Sequence, residues 1–151
     1  MIKAFRIALV ALLVSLFSFP AFAGPGKPDA EAIVGKAVAF AVANGKDKLL
    51  AEVNKKDGQF NQGELYVFVY DLTGTMIAAP VNQEMVGKNN LDKPDAEGKL
   101  FRQEFLNVAK AQGSGWVEYK FKNPVSGKVE PKASFVKKQG DVIIIAGVYL
   151  K

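Results

Sequence analysis

Residues 64–80, which read ELYVFVYDLTGTMIAAP, carry the clearest structural signal in the chain. Its first half, Leu65–Asp71, alternates aromatic with β-branched residues, a composition typical of a β-strand. The DLTG segment that follows signals a tight turn, in which Gly74 supplies the positive φ. Met76–Pro80 is a second apolar strand. The stretch therefore predicts an antiparallel hairpin whose three aromatic residues share one face, because side chains alternate along a strand.

Three more strands follow in the last third of the chain. Gly115–Lys122 and Lys128–Lys138 are joined by an Asn-Pro-Val-Ser-Gly turn, and Val142–Leu150 contains a Val-Ile-Ile-Ile run. A run so rich in β-branched residues is typical of a buried central strand. We therefore predict a sheet of five antiparallel strands.

Helical segments precede and interrupt these strands. Asp29–Asn44 has a wide apolar face and Asp29 as its predicted N-cap, and Lys46–Val53 is a short continuation. Lys99–Gln112 is a further helix, because its apolar residues recur at helical spacing. The predicted fold class is therefore α+β, with a long N-terminal helix on a five-stranded antiparallel sheet and a second helix over the other face.

Between the hairpin and the second helix lies a long polar connection, Val81–Gly98. A structureless segment of this length inside a compact domain usually covers a functional surface. Its acids Asp92, Asp95 and Glu97 lack the glycine and the distant glutamate of a calcium loop. Roles as helix caps and in solvent-exposed turns explain these three acids, and no metal site is predicted.

The first 23 residues predict a secretory signal peptide. Lys3 and Arg6 precede an apolar run, and Ala21-Phe22-Ala23 is a small-x-small cleavage site. A retained anchor is the alternative. Cleavage would leave a flexible leader, residues 24–28, and a single domain, residues 29–151. Because the chain has no cysteine for a disulfide or a lipid, we expect a soluble protein of a bacterial periplasm.

Composition excludes several classes of function. The chain of 151 residues carries a net charge of +5, but its lysines are spread along the sequence rather than gathered in the stripe that nucleic acid requires. It has neither histidine nor cysteine, the usual general base, thiol nucleophile and metal ligands. We therefore predict a binding protein with no nucleic-acid partner, rather than an enzyme or a cofactor carrier.

One pair of residues points to a ligand. If the hairpin turn pairs Asn123 with Lys128, Tyr119 lies opposite Lys132 on the same face of neighbouring strands. A phenol beside an ammonium on a half-buried sheet is a natural receptor for a carboxylate. Alternatively, Lys132 is an edge lysine that prevents strand addition, and Tyr119 is a core residue. The pattern alone leaves both interpretations open.

Neighbouring residues have structural interpretations too. Trp116 belongs to the core or to a pocket rim. Phe101 and Phe105 form the apolar face of the second helix, although a helix that covers the sheet also forms a pocket roof. Arg102 is expected on the solvated face of that helix.

Four segments resemble a known family when they are taken in order. Residues 66–76, 86–89, 115–121 and 123–132 read YVFVYDLTGTM, VGKN, GWVEYKF and NPVSGKVEPK, and they resemble the single Cache domain, type 2. The resemblance extends from about residue 30 to the C-terminus. It implies a PAS-like fold with the long helix on one side of the sheet and a ligand pocket on the other. Members are the extracytoplasmic sensor parts of chemoreceptors and histidine kinases, and many bind acetate, propionate, pyruvate or lactate.

The resemblance also implies roles for individual residues. It favours Tyr119 and Lys132 as carboxylate contacts and makes pocket walls of Trp116, Phe121 and Tyr70. Phe68, on the same strand face as Tyr70, and Phe101, as the roof, complete the predicted ligand-binding set.

The expected function follows from this resemblance. We expect a non-catalytic periplasmic module that senses a short-chain carboxylate. Because the chain stops at Lys151, directly after the last strand, we expect it to act with a separate membrane receptor, histidine kinase or transporter. The alternative is an interaction protein with a vestigial pocket, which docks a membrane sensor or self-associates. The oligomeric state stays open.

Overall fold

The computed structural model describes Ser18 and residues 23–151. The predicted signal peptide therefore lies outside the described residues, apart from Ser18 and Ala23. In chain order the elements are α1 (Lys27–Asn44), α2 (Lys46–Val53), β1 (Asn61–Gln62), β2 (Leu65–Asp71), β3 (Met76–Ala78), a 3₁₀ turn (Gln83–Met85), α3 (Phe101–Gln112), β4 (Ser114–Lys122), β5 (Val129–Gln139) and β6 (Val142–Tyr149).

The strands form one antiparallel sheet in the spatial order β1-β2-β6-β5-β4, and β3 also pairs with β2. Strand β6, whose residues are all buried, lies between β2 and β5. The predicted α+β class is confirmed. The five predicted strands correspond to β2 to β6, and the Val-Ile-Ile-Ile run lies in the central strand as predicted.

One local prediction is wrong, and one short strand was missed. Helix α1 begins at Lys27 rather than after Asp29, so it takes in the last two residues of the predicted leader. Asp29 lies in the first turn, where its Oδ2 accepts a hydrogen bond of 2.7 Å from the backbone N–H of Gly26. A carboxylate in this turn also suits the positive end of the helix dipole. Strand β1 was not predicted, because two polar residues carry no strand pattern.

The sheet separates two cores. Helix α1 packs Ile33, Val34 and Ala37 against the face that carries the aliphatic residues of β2 and β6. The opposite face, which we call the aromatic face, carries the rings of β2 together with Tyr119 and Phe121 of β4, and it is covered by α3 and the connection after β3. Strand alternation explains this division, since successive side chains of β2 point to opposite faces.

Asp95 fastens the connection before α3 to the edge strand β4. Its Oδ2 accepts a hydrogen bond of 2.8 Å from the backbone N–H of Lys120. Its Oδ1 accepts bonds from the N–H groups of Glu97 and Lys99, at 2.9 and 2.8 Å. The carboxylate thus closes its own loop and satisfies one donor of an edge strand that is otherwise open to strand addition.

Replacing Asp95 by alanine is expected to lower the free energy of unfolding by about 1–2 kcal/mol at neutral pH, because three backbone donors lose their acceptor. Partial burial raises the pKa of Asp95, but the N–H groups of Lys120, Lys99 and Glu97 outweigh it and hold the pKa below its usual value. A lowered pKa means that the stabilisation is complete above about pH 4 and is lost as the pH falls further.

Urea denaturation at pH 7 and at pH 3 checks this prediction. The matched control is Asp92→Ala, since Asp92 is exposed and its side chain makes none of the described hydrogen bonds. We expect the control to change stability by less than about 0.5 kcal/mol. Equal losses in both variants, or a loss in Asp95→Ala that does not shrink at pH 3, would contradict the role given to Asp95.

Candidate ligand-binding pocket

A pocket lies between the aromatic face of the sheet and its cover. Its floor is formed by residues of β2, β4 and β5, and its cover by the start of α3 and the segment from β3 to the 3₁₀ turn; the lining residues are Tyr66, Phe68, Tyr70, Met76, Ala79, Val81, Asn82, Met85, Phe101, Arg102, Tyr119, Phe121 and Lys132. The empty space is about 370 Å³ including the opening to solvent. The cavity itself is only about 20 Å³, which is room for about one water.

The floor is a row of rings along β2. Tyr66, Phe68 and Tyr70 are two residues apart and share one face, with ring centres separated by 5.9 and 6.1 Å. On β4, Tyr119 stacks against Phe101 of α3, with a centroid distance of 4.2 Å and an interplanar angle of 5°. These contacts hold the roof of the pocket on its floor through aromatic packing.

Lys132 is the central polar residue of the pocket. Its side chain is 1% exposed, and its Nζ donates a hydrogen bond of 3.1 Å to Oη of Tyr66. Four rings surround the ammonium at centroid distances of 4.3–5.4 Å, those of Tyr66, Tyr149, Phe68 and Phe121. No carboxylate of the described residues forms an ion pair with it.

A buried ammonium without a counter-ion is costly, because desolvation of a charge takes several kcal/mol. Cation–π attraction to the surrounding rings offsets part of this cost. The part of the desolvation cost that the rings do not offset favours the binding of any anion that reaches the ammonium. The electrostatics of the pocket therefore select for negative charge.

Gly147 opens the route by which Lys132 reaches Tyr66. Lys132 lies on β5 and Tyr66 on β2, and the central strand β6 runs between them. A Cβ atom at Gly147 of β6 would lie 2.8 Å from Cε of Lys132 and 2.2 Å from Oγ of Ser134. Such distances are far inside van der Waals contact, so only glycine lets the lysine cross the sheet at this position.

The predicted register is confirmed, but the phenol beside the ammonium is not the predicted one. Tyr119 pairs with Lys132, and both lie on the aromatic face. The Oη of Tyr119, however, shares a hydrogen bond of 2.8 Å with Oγ of Ser134, and burial raises the pKa of Tyr119 well above its usual value. The phenol that contacts the ammonium is that of Tyr66. Sequence reasoning placed Tyr66 on the correct strand face but left it out of the predicted set.

Trp116 is a correction. It lies on the opposite face of the sheet, beside α1, where its Nε1 donates a hydrogen bond of 3.2 Å to Oε1 of Glu31. Its ring centre is 5.4 Å from that of Phe135, on the same side. Because strand alternation separates it from Tyr119, Trp116 does not line the pocket, and its prediction as a pocket wall is wrong.

Arg102 is a second correction. Sequence periodicity placed it on the solvated side of α3, but only 7% of it is exposed and it lines the pocket. Its Nη1 donates a hydrogen bond of 3.1 Å to the backbone carbonyl of Lys93, and its Cζ lies 4.2 Å from the ring centre of Phe101. Burial raises the pKa of Tyr70 above its usual value, and the positive charge of Arg102 opposes that rise.

The other six predicted site residues surround one pocket: Tyr119, Lys132, Phe121, Tyr70, Phe68 and Phe101. Their part in binding stays a prediction. Among the residues that the structure describes, no cluster of three or more acidic, histidine or cysteine side chains could hold a metal ion. Within that same part of the chain, every helix is too short or too polar to cross a membrane.

Comparison with protein families and curated proteins gives a consistent result. The family model for the Single Cache domain 2 matches residues 40–151. The sensor histidine kinase MctS of Rhizobium johnstonii is 37% identical over 87 residues, which are 56% of this chain and 19% of the kinase. The chain thus spans about a fifth of the length of that curated relative.

Solved structures share the fold. A structure described as the periplasmic sensor domain of a chemotaxis protein has a TM-score of 0.65 at 27% identity, over 82% of this chain and 90% of that domain. Another, described as the structural basis for carboxylic acid recognition by a Cache chemosensory domain, has a TM-score of 0.64 at 23% identity, over 82% of this chain and 88% of that one. At this lower identity, the second likeness supports the fold alone.

Replacing Lys132 by methionine is expected to raise the free energy of unfolding by about 1–3 kcal/mol, since methionine keeps the volume and removes the buried charge. Urea denaturation without ligand measures the change. The control is Lys138→Met on the same strand, where the side chain is exposed and we expect less than about 0.5 kcal/mol. A clear loss of stability in Lys132→Met would mean that the rings already compensate the charge.

Proposed function

This chain belongs to the single Cache domain 2 family, a family of sensor domains, and on that basis we propose that its pocket binds a short-chain carboxylate at Lys132. One observation carries the proposal. The ammonium of Lys132 is buried among rings, and no carboxylate of the described residues neutralises it. A carboxylate ligand would supply the missing negative charge.

The surroundings of Lys132 suit a carboxylate. The ammonium has three N–H donors and uses one on Tyr66, which leaves donors for the oxygens of a ligand. The hydroxyl of Tyr66 accepts a hydrogen bond from Lys132, and its own proton can be donated to an oxygen of the ligand. Water-excluding walls of Phe68, Phe101 and Phe121 strengthen such charge-assisted bonds by lowering the local dielectric.

Pocket size and fold support small acids. With room for about one water, the pocket must open to admit any acid, and ligands of the size of acetate, propionate, pyruvate or lactate require less opening than larger metabolites. A domain of the same fold is described as recognising carboxylic acids, which supports the capacity of this fold for such ligands. We therefore choose this class for the first binding assays.

The proposed setting is the bacterial periplasm, with a membrane signalling partner. Relatives of this chain include a sensor histidine kinase and the periplasmic sensor domain of a chemotaxis protein. On this proposal the module is non-catalytic and reports ligand occupancy to a membrane receptor, a histidine kinase or a transporter.

The small free space also favours a second candidate function. Room for about one water fits a vestigial pocket in a non-catalytic interaction protein, which docks a membrane sensor or self-associates. In that case no acid would change the thermal stability, and light scattering would show a stable dimer or a complex with a membrane sensor.

Thermal unfolding with a panel of acids tests the carboxylate proposal. At 100 times its dissociation constant, a bound acid should add about 2.7 kcal/mol to the free energy of unfolding. Lys132→Met is expected to abolish this gain, whereas Lys138→Met should retain it. Acetamide, and chloride at equal ionic strength, are the ligand controls. The proposal fails if no acid in the panel stabilises the protein, or if the gain persists in Lys132→Met.

A further inference from the structure

We propose that the pocket prefers short acids with a carboxylate at each end, and that Arg102 binds the second carboxylate while Lys132 binds the first. This inference rests on the proposed function, because it assumes that a carboxylate occupies the site at Lys132. It adds a specificity-determining residue and narrows the ligand to dicarboxylates of about four carbons.

Arg102 is a buried cation with donors to spare. A guanidinium has five N–H donors, and the structure gives Arg102 one hydrogen bond, from Nη1 to the carbonyl of Lys93. Its Nε is buried and has no partner among the described residues. No carboxylate in that part of the chain forms an ion pair with Arg102. The backbone carbonyl satisfies one donor but does not neutralise the charge.

The two cations lie at different ends of the ring row on β2. Lys132 contacts the Tyr66 end, at 3.1 Å. The positive charge of Arg102 acts on the hydroxyl of Tyr70, at the other end of the row, and its Cζ lies 4.2 Å from the ring centre of Phe101. Phe68 stands between them, with ring centres 5.9 and 6.1 Å from its two neighbours.

The ring of Phe101 separates Arg102 from Tyr119. The Cζ of Arg102 and the ring of Tyr119 both lie 4.2 Å from the ring centre of Phe101. One face of a ring cannot hold both at that distance, so they occupy opposite faces. Arg102 therefore lies on the face of the Phe101 ring that is turned away from Tyr119, the strand partner of Lys132.

The two buried charges decide between the two kinds of acid. A diacid brings one carboxylate for each cation, whereas a monocarboxylate brings a single negative charge to a pocket lined by two cations. On this proposal the cover moves to admit the ligand, and a flexible four-carbon diacid contacts Lys132 with one end and Arg102 with the other. A monocarboxylate leaves the guanidinium buried without an anion, and a site built to bind a polar group discriminates strongly against analogues that lack it.

Calorimetry with matched acids tests the inference on the intact protein. Succinate is compared with butyrate, and malonate with propionate, since each pair has the same carbon count and differs by one carboxylate. Succinate is expected to bind at least about tenfold more tightly than butyrate. Arg102→Gln, which keeps a donor for the carbonyl of Lys93, should weaken succinate at least about tenfold and butyrate less than about twofold.

Lys99→Gln is the matched charge control, since Lys99 precedes α3 and its side chain is 38% exposed. We expect it to change the affinity of either acid by less than about twofold, because an exposed charge is screened. Equal affinities of succinate and butyrate, or equal weakening of both in Arg102→Gln, overturn the inference and leave the carboxylate function standing. If neither acid binds the unaltered protein while an acid of the first panel does, the inference alone fails. If no acid of either set binds, the proposed function fails with it.

Circular dichroism first establishes that each variant folds. If Arg102→Gln does not fold, Arg102→Lys decides the question, because it keeps the charge but loses the planar fork. Selective weakening of succinate in Arg102→Lys supports the inference. An unchanged ratio of succinate to butyrate affinity in that variant overturns it.

Discussion

The buried ammonium of Lys132 is the interaction on which the aromatic face depends. It lies on β5 but donates its hydrogen bond to Tyr66 on β2, so its side chain crosses the central strand. This crossing requires a glycine at position 147, because a Cβ atom there would overlap the lysine stem. It also requires rings rather than acids around the charge. The residues of three strands therefore accommodate this one side chain, and on the proposed function the cost of burying it favours the binding of an anion.

The sheet separates the costly buried charge from the apolar core that stabilises the fold, because the two lie on opposite faces. The face beside α1 buries aliphatic residues such as Val67, Val69 and Ile144, and it forms a conventional apolar core. The aromatic face carries two buried cations, Lys132 and Arg102, and a narrow space between its rings. On the proposed function, these buried cations lower the stability of the unliganded fold in favour of binding, a common exchange of stability for function. Here strand alternation places the two tasks on opposite sides of the same strands.

The cover of the pocket is fastened at more than one point. Asp95 ties the connection before α3 to the edge of the sheet, while Phe101 stacks on Tyr119. Arg102 links the same helix to the carbonyl of Lys93 in that connection. A ligand that contacts both Lys132 and Arg102 therefore joins the sheet to its cover. In a family of sensor domains, such a bridge offers a direct physical link between occupancy and the position of the cover.

The sequence by itself determined the features that rest on short-range geometry. These are the α+β class, the strand order along the chain, and the pairing of Tyr119 with Lys132 across a short hairpin. Only the tertiary structure decided the rest. Strand alternation already separated Trp116 from Tyr119, yet the contact of Lys132 with Tyr66 spans 66 residues and passes over a third strand. The burial of Arg102 likewise depends on a loop that packs on the first turn of α3, which helical periodicity does not describe. Periodicity reports which residues share a face, whereas folding decides which faces meet.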